Sequence, residues 1–83
     1  MRPSNPPTIL VIDPDSDTRQ LLRNALSTED YCLLEATTAA DALAHIKAFK
    51  PAVILTELDL PDIDGFEMIR QICGIHRCLV VAA

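Results

Sequence analysis

The chain predicts an α/β fold in which a mainly parallel sheet is flanked by helices, and three observations carry that prediction. Four short apolar runs alternate with three segments of helical periodicity. The runs are apolar at nearly every position rather than at every second one, which suits strands covered on both faces. An apolar share of 49%, with one Tyr, two Phe and no Trp, adds an aliphatic interior built from Val, Ile, Leu and Ala.

The elements follow in order. Three prolines among the first seven residues deny helix and ladder donors, so residues 1–7 read as a flexible lead-in and residues 8–83 as a single small domain. Thr8 to Ile12 makes the first strand, closed by Asp13-Pro14-Asp15. Asp15 or Ser16 caps a helix with Leu21, Leu22, Ala25 and Leu26 inward and Arg19, Gln20, Arg23 and Asn24 facing away, ending near Ser27 or Thr28. Tyr31 to Glu35 is the second strand. Thr37 or Thr38 then caps a helix over Ala39 to Phe49, whose Ala39, Ala42, Leu43, Ile46 and Phe49 form one stripe, and Pro51 stops it. Ala52 to Thr56 is the third strand, Gly65 to Cys73 a helix with Phe66, Ile69, Ile72 and Cys73 inward, and Cys78 to Ala82 the fourth strand. Asp62 and Asp64 read as turn and helix cap, with Gly65 supplying backbone freedom.

The order β-α-β-α-β-α-β with short, right-handed crossovers selects a flavodoxin-like sheet of order 2-1-3-4. Ligand sites in such sheets lie beyond the carboxyl ends of the strands, where Asp13, Asp15 and Glu57 would gather. A net charge of -5 disfavours nucleic acid and anionic membranes as partners of this segment. No window has the apolar length of a membrane span, and the start has no leader-like apolar region, so a cytoplasmic protein is expected. Cys32, Cys73 and Cys78 include no Cys-x-x-Cys pair and read as free thiols in a reducing compartment, serving as small buried apolar residues. His45 and His76 have no Cys or His partner at zinc spacing and read as surface residues.

The run Val53-Ile54-Leu55-Thr56-Glu57-Leu58-Asp59-Leu60-Pro61-Asp62-Ile63-Asp64-Gly65 carries the most specific pattern, an apolar strand delivering an acid into a Pro-x-x-Asp-Gly loop. It resembles the CheY-like receiver domain of two-component response regulators, whose third strand ends in the phosphoacceptor aspartate. Ile9-Leu10-Val11-Ile12-Asp13, Arg19 with Leu21-Leu22, and Glu35-Ala36 followed by Ala42-Leu43 extend the resemblance from Thr8 to Ala83. It implies a phosphorelay signalling module that works by protein contact without turnover of its own. A histidine kinase or other signalling protein, and an effector domain in a longer protein, are the implied partners.

The departures fall on the residues that carry the family's chemistry. Glu57 stands at the phosphoacceptor position, and the added methylene moves the carboxylate by roughly 1.5 Å in a reaction that depends on in-line approach. Pro14 follows Asp13 where the resemblance implies a second acid for Mg2+, which leaves Asp13 and Glu57 as metal positions with weak or absent Mg2+ binding, and Asp15 as a displaced substitute. Ala82 occupies the position of the switch hydroxyl and donates no hydrogen bond. The family continues through a fourth helix, a fifth strand ending in Lys and a fifth helix, so the resemblance implies a partial domain that stops after strand four. These departures imply a degenerate pseudo-receiver without a required cofactor, in which Glu57 is either inert or a fixed charge of about one unit against roughly 1.5 to 2 for a phosphoryl group.

Two other classes share some of these features. One is a working phosphoacceptor that uses a non-standard residue. The other is a Mg2+-dependent phosphatase resembling the haloacid dehalogenases, suggested by Asp13-Pro14-Asp15 but lacking the Gly-Thr that follows that motif. Thr56 is discounted as an acceptor because strand alternation turns it to the face opposite Glu57. The apolar fourth strand, left at the sheet edge, predicts self-association.

Overall fold

The computed structural model describes residues 6–26 and 30–82. Four strands, β1 (Thr8–Ile12), β2 (Cys32–Ala36), β3 (Val53–Thr56) and β4 (Leu79–Ala82), form one parallel sheet of order β2-β1-β3-β4. Three helices, α1 (Ser16–Ala25), α2 (Ala39–Phe49) and α3 (Gly65–Ile75), connect them. The sequence-based order and topology hold, with strand ends shifted by a residue. The lead-in predicted over residues 1–7 lies outside the described residues except for Pro6 and Pro7, where the Pro7 carbonyl accepts from the Cys32 amide at 2.9 Å.

The helices start where short polar side chains satisfy free amides. Asp15 accepts from the Asp17 amide, Thr38 from that of Asp41 and Asp64 from that of Phe66. α2 ends with Lys50 in the left-handed conformation at φ 48°, and the buried Pro51 follows. α1 closes at Ala25, short of Ser27 and Thr28, which lie outside the described residues.

In-register parallel pairing puts Leu10, Ile12, Ile54 and Thr56 on one face of the sheet. There they meet Ala39, Ala42 and Ile46 of α2 and Met68 and Ile72 of α3, with Leu60 closing the upper end. Fully burying a side chain of this size stabilises by about 1.5–3 kcal/mol, so this face holds most of the apolar stabilisation. Among the described residues the opposite face carries only α1, which has no fully buried residue.

Several helix faces differ from the sequence reading. Leu21 and Phe66 are each 69% exposed, Phe49 is 55% exposed, and Ala25 and Cys73 are also exposed. In α3 the sheet lies against Gly65, Met68 and Ile72, at spacings of three and four, which turns Phe66 and Cys73 outward. Arg19, expected to face away, has a side chain only 16% exposed: it donates to the Asp13 carbonyl at 2.6 Å and lies 3.4 Å from Glu35. His76 is not a free surface residue either, since its Nε2 sits 2.8 Å from the buried Pro51's carbonyl oxygen and so carries the proton. Cys32 and Cys73 are exposed and do not act as core residues, whereas Cys78 is half-buried and packs against the core.

Candidate functional site

The carboxyl ends of β1 and β3 meet because the ladder runs one residue past each strand. The Asp13 amide donates to Ala36 at 3.0 Å and the Glu57 amide to Ile12 at 2.9 Å, which sets Asp13 and Glu57 on adjacent strand ends. Both line a groove of about 260 Å3 whose walls include Leu22 and Thr18 of α1, Leu55 and Thr56 of β3 and Val81 of β4. The groove is acidic at its lip and aliphatic along its floor.

Each acid is already engaged. Asp13 Oδ1 accepts from the Asp15 amide at 2.9 Å. Asp15 is not part of the groove wall. Its Oδ1 accepts from the Asp17 amide at 3.2 Å and its Oδ2 from the Thr18 hydroxyl at 2.7 Å, and these two bonds, the hydroxyl first, hold its carboxyl below the usual range. Glu57 turns back on its own loop, where Oε1 accepts from the amides of Leu58 at 3.0 Å and Asp59 at 3.3 Å. The Thr56 hydroxyl donates to the Glu57 carbonyl at 3.0 Å, and Thr56 is buried on the α2–α3 face, as strand alternation requires. Ala82 pairs with Thr56 at the end of β4 and brings no polar group.

The loop after Glu57 is fixed from three sides. The Gly65 amide donates to the Leu58 carbonyl at 3.1 Å, and Asp59 and Asp64 form an isolated bridge. A Cβ at Gly65 would sit 2.5 Å from both the Cα and the carbonyl oxygen of Leu58. Glycine is therefore required here by close approach; its φ is not positive, which corrects the expectation of backbone freedom. Asp62 does not cap α3. Its carboxylate reaches α2, accepting from Ala39 and Ala40 at 2.9 Å each, and those two amide bonds lower its pKa. This contact joins the Glu57 loop to the N-terminus of α2. Arg19, Thr18 and Asp62 are the site residues whose roles sequence reasoning missed; the only local signal was the clustering of acids in the loop.

The family implies Mg2+, and the donor set fits a preformed cage poorly. Among the described residues no group of three or more His, Cys, Asp or Glu is placed to share an ion. Asp15 spends both carboxylate oxygens on α1, and Mg2+ demands near-octahedral oxygens at short, fixed distances.

The fold agrees with known proteins. The model of the response regulator receiver domain family matches residues 9–83. The transcriptional regulatory protein ResD of Bacillus subtilis is 38% identical over 72 residues, covering 87% of this chain and 30% of that protein. A two-component response regulator from Clostridium difficile superposes with a TM-score of 0.86 at 29% identity, covering 92% of this chain and 63% of that one. The signal receiver domain of an HD domain-containing protein from Pseudomonas fluorescens Pf-5 reaches a TM-score of 0.89 over 99% of this chain and 61% of that one, and at 23% identity it supports the fold alone. The chain spans half or less of the length of the curated relatives it matches. The chain belongs to the response regulator receiver domain family of two-component signalling.

Proposed function

We propose that this receiver is a pseudo-receiver, which signals by protein contact and carries Glu57 as a fixed acid in place of a phosphorylated aspartate. The observation that carries the reading is the Glu57 carboxylate bonded to the amides of Leu58 and Asp59. A nucleophile must lie in line with the leaving oxygen, and a carboxylate folded onto its own loop is out of that line. Asp13 and Glu57 alone give Mg2+ too few fixed oxygens, so metal binding is weak or absent and no cofactor is needed. Ala82 leaves no hydroxyl to read a phosphoryl group. The bonded loop and its Asp62 link to α2 instead present one fixed surface to a partner.

That partner is a histidine kinase or another signalling protein. Relatives such as ResD extend well beyond the matched region, which supports an effector domain in cis. The segment binds no nucleic acid, since acids outnumber bases 12 to 7, and it works in the cytoplasm.

The test is the intact mass of the chain after incubation with Mg2+ and acetyl phosphate, beside Glu57→Asp. The native chain is expected to gain no phosphoryl group; an adduct on it overturns the proposal and restores the reading of Glu57 as a working acceptor. An adduct on Glu57→Asp alone assigns the inactivity to one methylene, and none on either protein extends it to Pro14 and Ala82.

A further inference from the structure

At the pole opposite Glu57, two thiols open onto one cleft. Cys73 lies in the last turns of α3 and Cys78 just before β4; with Ile72, His76, Arg77 and Val80 they line a shared pocket. Cys73 is exposed and Cys78 is half-buried, packed against the α2–α3 core. The connecting turn is anchored at His76, whose Nε2–H donates to the Pro51 carbonyl at 2.8 Å and whose amide donates to Ile72 at 3.0 Å. Gly74 next to Cys73 meets no such constraint, since a Cβ there would find no atom within 4 Å. Glycine is a weak helix former, and this one stands beside Cys73 in the last turn of α3. Cys32, by contrast, sits on β2 at the far edge of the sheet.

We propose that Cys73 and Cys78 form a reversible intramolecular disulfide, a redox modification site that ties the end of α3 to the start of β4. A low-molecular-weight disulfide is the oxidant. The Cys73 thiolate attacks one of its sulfurs, forming a mixed disulfide and expelling one thiolate; Cys78 then attacks the Cys73 sulfur and expels the second. Two protein thiols are oxidised, the small disulfide is reduced to two thiols, and the cysteine protons end on those products. The roles follow exposure: Cys73 meets the oxidant first, while Cys78 is half-buried, its thiol pushed up by burial first and the neighbouring Cys73 second, and acts second. This site shares no residue with the Glu57 groove, so the two proposals fail separately.

The experiment equilibrates the folded chain with glutathione and glutathione disulfide, blocks free thiols with iodoacetamide and digests with trypsin without reduction. Cleavage after Arg70 and Arg77 separates the two cysteines, so the disulfide appears as the peptide Gln71 to Arg77 linked to the peptide starting at Cys78. The expected result is this linked pair, two hydrogens lighter than its parts and reversed by dithiothreitol, with Cys32 outside any protein disulfide. Its yield at a fixed glutathione ratio should fall about tenfold in urea, because folding supplies the juxtaposition. Separately blocked Cys73 and Cys78, disulfides through Cys32, or an equal yield in urea would each overturn the proposal.

Discussion

At the scale of single residues, Gly65 shows how the loop after Glu57 constrains sequence. Its missing side chain lets α3 begin against the Leu58 backbone, and no rotamer can relieve a Cβ placed 2.5 Å from that backbone. Gly65→Ala is expected to destabilise the fold by about 1–3 kcal/mol, as overpacking does, read as a lower urea midpoint at unchanged slope. An unchanged midpoint would mean the loop yields freely. Asp62 adds a pH dependence. Its folded pKa lies below the ordinary carboxylate value because Ala39 and Ala40 donate to it. A depressed carboxyl contributes fully above its unfolded value and loses that contribution as pH falls through its folded one, so the α2 link should weaken only as pH falls below the ordinary carboxylate range. Carboxyl NMR should show Asp62 titrating low, with the Ala39 and Ala40 amides following the same midpoint. Independent movement of those amides would remove the link. Asp62 was legible as a turn residue but not as an acceptor for α2, because its partners lie 22 and 23 residues away and only folding brings them together.

At the scale of elements, the apolar runs located all four strands, since a strand buried on both faces leaves little else to decide. The helices were legible in extent and partly misread in orientation. In α3, Phe66, Ile69, Ile72 and Cys73 are apolar at helical spacing, yet the side that meets the sheet is Gly65, Met68 and Ile72. Hydrophobic periodicity gives a stripe, and a second stripe on a short helix leaves the phase open. The tie-breaker was the Gly65 contact with Leu58, a tertiary fact that fixes the rotation of the whole helix. The Glu57 position shows the same division. Counting along the Pro-x-x-Asp-Gly pattern located it, but the direction of its carboxylate depends on the amides that the folded loop offers.

At the scale of the molecule, the two faces of the sheet are unequally covered, and among the described residues β4 has β3 as its only strand neighbour. Leu79 and Val81 remain 62% and 48% exposed, on a strand without charge, proline or bulge to discourage pairing. The 83-residue chain is therefore expected to self-associate through this edge, with a weight-average mass in sedimentation equilibrium that rises with concentration. The net charge of -5 opposes association, which makes salt a discriminating variable. Screening should strengthen pairing along an apolar edge, whereas contacts made through surface ion pairs would weaken. Val81→Lys supplies the missing edge charge at a half-exposed position, so it should leave the circular dichroism spectrum unchanged and shift the chain to monomer. A native chain that is monomeric at every concentration, or whose association falls with added salt, would show that the exposed edge is not the contact surface.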